Sequence, residues 1–257
     1  MFSRYVALGD SFTEGVGDPD PTRPNGLRGW ADRVAEVLTT QSPDFGYANL
    51  AIRGRKLPQV VDEQVGPAIE LGPDLVSIHA GGNDVLRPKV DLDSLASAYD
   101  DAIGRLAGSG AHVVMFTIFD PGGSGLYSAL RGRMAIFNEL VREISERHDA
   151  SLVDMWRMRE GDVRHVMDTD RMHLNAIGHQ RIALAVLDAL GVEHALVPDA
   201  LVALAPLSRR EQLRADATWT REFLAPWVHR RLTGRSSGDS VDPKRPTLSP
   251  IDPAAVG

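Results

Sequence analysis

Two short stretches hold most of the side chains that could do chemistry. VALGDSFTEG, at 6–15, runs apolar strand formers into Gly9 and then presents Asp10 and Ser11; DTDRMHLNAIGH, at 168–179, sets Asp170 three residues before His173. A serine hydroxyl is a weak nucleophile until an adjacent base accepts its proton, and the base works best when a third group fixes its tautomer and stabilises its charged form. Ser11, His173 and Asp170 supply those three parts, so they are the candidate catalytic residues of an acyl transfer. On the local string alone, a serine just after a strand is also a common helix cap.

The negative oxygen of a tetrahedral intermediate needs hydrogen-bond donors placed in advance, each typically worth about 3 kcal/mol of barrier. Two further loops offer them. NLAIRG, at 49–54, ends in Gly54, whose missing side chain lets a backbone N–H approach a substrate oxygen, and HAGGND, at 79–84, places the Asn83 amide after two glycines. The expected oxyanion hole is Ser11, Gly54 and Asn83.

These loops must be carried by something rigid. Short apolar runs at 4–9, 47–52, 75–81, 112–119 and 151–156 read as five strands, separated by segments of helical spacing near 29–40, 58–71, 91–108, 126–148 and 175–190. Nearly continuous apolar strands joined by helices imply a parallel sheet covered on both faces, with right-handed crossovers. The expected fold is a three-layer α/β/α domain over 1–191 with a flavodoxin-like five-stranded parallel sheet, order 2-1-3-4-5. Ligands in such sheets bind beyond the carboxyl ends of the strands, where Ser11 falls.

After about residue 192 the alternation stops. Residues 192–235 read as a helical extension packed on the domain, with Ser208 and Glu211 at capping-box spacing, a kink or break at Pro226, and packing through Leu213, Phe223, Leu224, Trp227 and Val228. From 208 to 235 seven arginines stand against Glu211, Asp216 and Glu222, a net of +4 in a chain whose formal charge is -7. That arm could meet the acidic body, an anionic surface or a second copy, which makes it the candidate homo-oligomer contact. The Pro- and Ser-rich run 236–257 reads as a disordered tail.

The 257 residues, 43% of them hydrophobic, suffice for a large core. The acidic balance argues against a nucleic-acid partner, and the lack of cysteine excludes thiol nucleophiles and cysteine-ligated metals. No apolar run has the length of a membrane helix and no secretory signal opens the chain, so cytoplasmic residence, a small-molecule ester substrate and no cofactor are the expectations.

In this order, GDSFTEG, NLAIRG, GGND and DRMH resemble the four blocks of the SGNH hydrolases, the GDSL esterase and lipase superfamily, over about residues 4–190. The resemblance implies a serine hydrolase of carboxylic esters, of esterase, lipase or deacetylase type, acting through an acyl-enzyme: nucleophile Ser11, base His173 with Asp170, and oxyanion donors Ser11, Gly54 and Asn83. Two departures stand out. Phe12 replaces the leucine of GDSL, and Leu174 follows the histidine where many members have proline.

Rival readings assign the chemistry differently. A metal-dependent hydrolase could draw on Asp168, Asp170 and His173, with His165 and His179 nearby, although a histidine six residues along a helix lies on another face from His173. His179 is therefore expected to pack or cap. A catalytically silent binding module would use the arginine-rich arm. The GRSSG string at 234–238 lies outside any strand-to-helix elbow, so Ser236 is not a nucleophile. His79 is expected as a hydrogen-bonded core histidine, Asp10 and Asp84 as loop braces, and Trp30 as the anchor of the first helix. The loops 18–29 and 120–133 are expected to border the cleft, with Leu126, Tyr127 and Leu130 available to an acyl chain and Arg131 and Arg133 to an anionic head group.

Overall fold

The computed structural model describes residues 1–122, 127–158, 163–201, 205 and 207–253. Strands β1 (Arg4–Gly9), β2 (Gly46–Asn49), β3 (Leu75–His79), β4 (His112–Phe116), β5 (Ser151–Val153) and β6 (Arg245–Ser249) form one sheet in the order β5-β4-β3-β1-β2-β6. The helices are α1 (Ser11–Glu14), α2 (Gly29–Leu38), α3 (Leu57–Val60), α4 (Gly66–Glu70), α5 (Gly82–Val85), α6 (Leu92–Gly108), α7 (Arg131–Arg147), α8 (Ala176–Ala189), α9 (Arg209–Trp219) and α10 (Ala225–Leu232). β1 to β5 are parallel, in register Tyr5 with Tyr47 and Leu75, and Met115 with Ile78 and Leu152. The expected order 2-1-3-4-5 is present, and a sixth, antiparallel strand extends it.

Alternate side chains of β1 explain the three layers. Val6 and Leu8 pack with Leu57, Tyr99, Ile103, Phe137 and Val141 under α3, α6 and α7, whereas Tyr5 and Ala7 face Trp30, Val34, Ile182 and Val186 of α2 and α8. Each fully buried aliphatic side chain contributes roughly 1.5–3 kcal/mol relative to exposure. Both faces being covered is why these strands read as continuous apolar runs.

The tail corrects the sequence expectation. Instead of disorder from 236 onward, Arg245–Ser249 pairs antiparallel with β2, and Ile251 is buried. Lys244 Nζ lies 2.8 Å from Asp32 Oδ1, with both side chains fully buried, and also donates to the Arg28 carbonyl at 2.7 Å. Average composition hides a single buried charge, and Pro246 is compatible with β6 because this is an edge strand. Residues 254–257 lie outside the described residues.

The arm departs in part. Ser208 Oγ accepts the Glu211 N–H at 3.3 Å while Glu211 accepts the Ser208 N–H at 2.8 Å, the expected capping box. Pro226 ends no helix: a π-helical turn, Thr220–Leu224, joins α9 to α10, with Pro226 in the first turn of α10. Proline brings no N–H for the preceding turn, and a widened turn accommodates that loss. Leu213 and Val228 do not pack, being 64% and 39% exposed.

Lys244→Ala leaves Asp32 buried without its cation and is expected to cost about 3–5 kcal/mol of stability. Urea unfolding monitored by tryptophan fluorescence checks this, and a loss below about 1 kcal/mol would contradict the buried pair.

Candidate active site

Ser11 is placed by the end of the central strand. Gly9, at φ +143°, sits where a Cβ would collide with the His79 carbonyl, and the buried Gln64 side chain bonds both its N–H (2.8 Å) and its C=O (2.9 Å). The chain then turns into α1. The cap of that helix is Asp10, whose Oδ1 accepts the Phe12 N–H at 3.1 Å. Ser11 is therefore not the cap, and its hydroxyl is available to a partner elsewhere.

That partner is His173. Its Nε2 lies 2.8 Å from Ser11 Oγ, and its Nδ1 lies 2.5 Å from Asp170 Oδ2. A carboxylate can only accept, so Nδ1 carries the proton and Nε2 presents its lone pair to the serine hydroxyl. The other oxygen of Asp170 accepts the backbone N–H groups of Met172 (2.8 Å) and His173 (2.9 Å), which fixes the carboxylate in its loop. Burial by itself would raise the Asp170 carboxyl. The hydrogen bond and charge of His173, with the two backbone donors, outweigh it and hold the group below the ordinary carboxylate range. Leu174, the residue in place of proline, is buried in the core, and its bridge to Met167 steadies the loop.

Gly54 adopts φ +77°, a conformation L side chains disfavour, and Ser236 Oγ occupies the space a Cβ would need. Among the described residues the backbone N–H groups of Ser11 and Gly54 have no acceptor within the chain. Asn83 differs: its Nδ2 donates to Asp10 Oδ2 at 3.1 Å and to the Arg55 carbonyl at 3.0 Å. Those bonds orient the amide toward the cleft. Ser11, Gly54, Asn83, Asp170 and His173 all line one cleft of about 320 Å³.

Asp84 braces its loop as expected, accepting the Leu57 N–H at 2.8 Å, and burial raises its carboxyl. Trp30 is fully buried between α2 and the sheet. His79 is buried against Phe12, but its Nδ1 has no hydrogen bond among the described residues and lies 3.7 Å from Asp10 Oδ1; the expectation of a hydrogen-bonded histidine is corrected at that nitrogen. Arg131 is held bidentately by Asp120 at 2.7 Å, and Arg133 donates to the Arg87 carbonyl at 2.6 Å, so both are committed within the chain. Leu130 packs on the core, Leu126 lies outside the described residues, and from the 120–133 loop Tyr127 reaches the cleft. The 18–29 loop does not line it. Asp18 instead ties that loop to α2 through Arg33 and the Gly29 N–H.

His179 is fully buried. Its Nδ1 accepts the Trp30 N–H at 3.2 Å and its Nε2 donates to the Val16 carbonyl at 3.1 Å, which leaves neither nitrogen for a metal. Asp168 Oδ1 accepts the Thr169 N–H at 2.7 Å. Among the described residues no three His, Asp or Glu side chains are grouped to hold a metal ion.

The model of the GDSL-like lipase/acylhydrolase family matches residues 7–181, which include Ser11, Gly54, Asn83, Asp170 and His173. The chain belongs to that family. Its activity is that of a carboxylic ester hydrolase. LAE5, an α/β hydrolase from the metagenome of Lake Arreo, is 25% identical, with a TM-score of 0.62 over 74% of this chain and 95% of that one. Axe2, an acetylxylan esterase from Geobacillus stearothermophilus, is 22% identical, with a TM-score of 0.61 and the same coverage. The Bacillus subtilis protein YpmR is 22% identical over 73% of this chain and 81% of its own length. Among the described residues of this hydrolase no helix is long and apolar enough to cross a membrane.

Two features of the cleft escaped sequence reasoning. Glu14, fully buried, accepts the Arg53 backbone N–H at 2.8 Å and its guanidinium at 2.5 Å, fixing the loop that presents Gly54. Opposite charges at fixed places in two adjoining blocks were the available signal. Trp219, Phe223 and Trp227 line the cleft from the arm, and their spacing of four residues marks one helix face.

Burial pushes the His179 imidazole down to about 4 from 6.5, so it is neutral in the folded protein. An unfolded chain binds the proton more readily, so this contribution is complete above pH 6.5 and is lost as pH falls toward 4, at about 1.4 kcal/mol per unit. Chemical denaturation across that window is expected to show a steeper fall for the parent than for His179→Asn; parallel curves would contradict the burial.

Proposed function

We propose that this ester hydrolase works through an acyl-enzyme on Ser11, with His173 as general base and acid and Asp170 as its orienting carboxylate. The observation that carries the proposal is the continuous hydrogen-bonded line from Ser11 Oγ through the imidazole to Asp170, at 2.8 and 2.5 Å. Oγ attacks the ester carbonyl carbon while Nε2 takes its proton. The carbonyl oxygen becomes an oxyanion, which the Ser11 and Gly54 N–H groups receive, together with one Asn83 hydrogen drawn from its resting acceptor. Collapse breaks the bond to the alcohol oxygen, and His173 returns the proton to the departing alkoxide. A water then enters, gives a proton to His173 and attacks the acyl carbon, and the second tetrahedral intermediate collapses to the free acid as His173 returns that proton to the departing Ser11 Oγ.

The ionised state of Asp170 supports this sequence, because a negative group beside Nδ1 stabilises the imidazolium that each proton transfer creates. Membership of the GDSL-like lipase/acylhydrolase family and the likeness to Axe2, an acetylxylan esterase, agree with the reaction class.

Release of p-nitrophenol from p-nitrophenyl acetate tests it. Ser11→Ala is expected to lower kcat by about 10⁴-fold or more, Asp170→Asn by about 10³–10⁴-fold and Asn83→Ala by about 10²–10³-fold, each with little change in KM. Rates at the uncatalysed background for both the parent and Ser11→Ala would favour the silent binding module, and activity above background that survives Ser11→Ala would overturn the mechanism.

A further inference from the structure

The family match ends at residue 181, yet one wall of the cleft comes from the arm beyond it. Trp219, at the end of α9, donates from Nε1 to the Asp170 carbonyl at 2.7 Å and has the Arg171 guanidinium 5.1 Å above its ring. Arg171 also pairs with Asp216 at 2.7 Å, so this end of the arm is fastened to the loop that carries the acid and the base. The other end is fastened too. Ser236 presses against Gly54, Gly238 lies against the Arg53 carbonyl, and Lys244 and β6 anchor the following chain. Between these points the π-helical turn Thr220–Leu224 brings Phe223 and Leu224 to the cleft, and Trp227 follows on α10. A π turn rotates the side chains that follow it relative to a regular helix, and such turns are frequent at functional sites.

The charge of the lining narrows what this wall can accept. Arg53 and Arg230 are balanced by Asp170 and Glu222, and Arg53 is held by Glu14 as well. The expected anchors for an anionic head group, Arg131 and Arg133, are engaged elsewhere. An uncharged ester fits that balance. Orientation follows from proton transfer: the leaving oxygen must reach His173 Nε2, so the alcohol portion lies on the side of His173 and Asp170, where Trp219 begins the wall.

We propose that Phe223 and Trp227, on a wall begun by Trp219, are specificity-determining residues that receive an apolar, ring-bearing alcohol portion of an uncharged ester. This inference rests on Ser11 being the nucleophile. A ring of that kind buries against aromatic faces in offset or edge-on contact, and loss of such a contact typically changes discrimination by about 10–200-fold.

The test holds the acetyl group constant and compares kcat/KM for benzyl acetate and ethyl acetate in the full chain, with Phe223→Ala and Trp227→Ala. Rates are normalised to sites titrated by a phosphonate ester, so that misfolded protein is not counted. A parallel series holds p-nitrophenolate constant and compares hexanoyl with acetyl. The parent is expected to prefer benzyl acetate, and each variant to lose about 10-fold or more of the benzyl-to-ethyl ratio while the hexanoyl-to-acetyl ratio moves less than about 3-fold. An unchanged benzyl-to-ethyl ratio, or a change confined to the acyl series, overturns the proposal. Ser11→Ala separates the two levels: activity that survives it defeats the mechanism, whereas Ser11-dependent activity indifferent to the wall defeats this inference alone.

Discussion

One imidazole holding two oxygens at once, from residues 162 and 3 positions away, is the constraint on which the molecule's design turns. Hydrogen bonds of this length tolerate displacements of only a few tenths of an ångström. Ser11 must therefore be fixed by one end of the chain and His173 by another, with a common rigid body between. The parallel sheet is that body. β1 lies at its centre, paired on both sides, and α8 packs against α2 on the face beneath the His173 loop. Every β–α loop that contributes to the cleft leaves the same edge, because parallel strands point their carboxyl ends the same way.

Around that edge the protein buries charge in pairs. Glu14 with Arg53, Asp18 with Arg33 and Asp32 with Lys244 each join a segment near the site to another element. Such pairs add little net stability, since desolvation offsets most of the attraction, but removing one member is costly. They thus act chiefly on geometry: each permits one arrangement of its loop and penalises the rest. Glu14 is the clearest case, because it sits three residues beyond Ser11 and holds the residue before Gly54.

What was legible in the sequence was whatever depends on local periodicity and strand ends. The apolar runs marked β1 to β5 and their loops, although β2 and β4 stop at Asn49 and Phe116, short of the apolar residues that follow. Ser11, Gly54 and Asn83 stood out because each falls in a short string beside such an end, and Asp170 and His173 because an acid precedes an imidazole by three residues in the loop before α8. Lys244 could not, since one lysine in a run of Pro and Ser has no periodicity, and its partner lies more than two hundred residues earlier. The aromatic face of the arm was visible as a spacing, but the same spacing serves a core helix, and only the contact of Trp219 with the Asp170 loop distinguishes the two. His79 shows the opposite failure: burial was evident, whereas the missing hydrogen bond at Nδ1 depends on side chains from other elements.

The sixth strand has a further consequence in time. Chains emerge from the ribosome in order from the N-terminal side, so β1 and β2 are made about two hundred residues ahead of the strand that completes their sheet. Until then the outer edge of β2 stands open and Asp32 waits without its cation. Closure of the sheet thereby waits on residues 244–249, and a translation product cut short before them would carry Ser11 and His173 beside an unsealed flank.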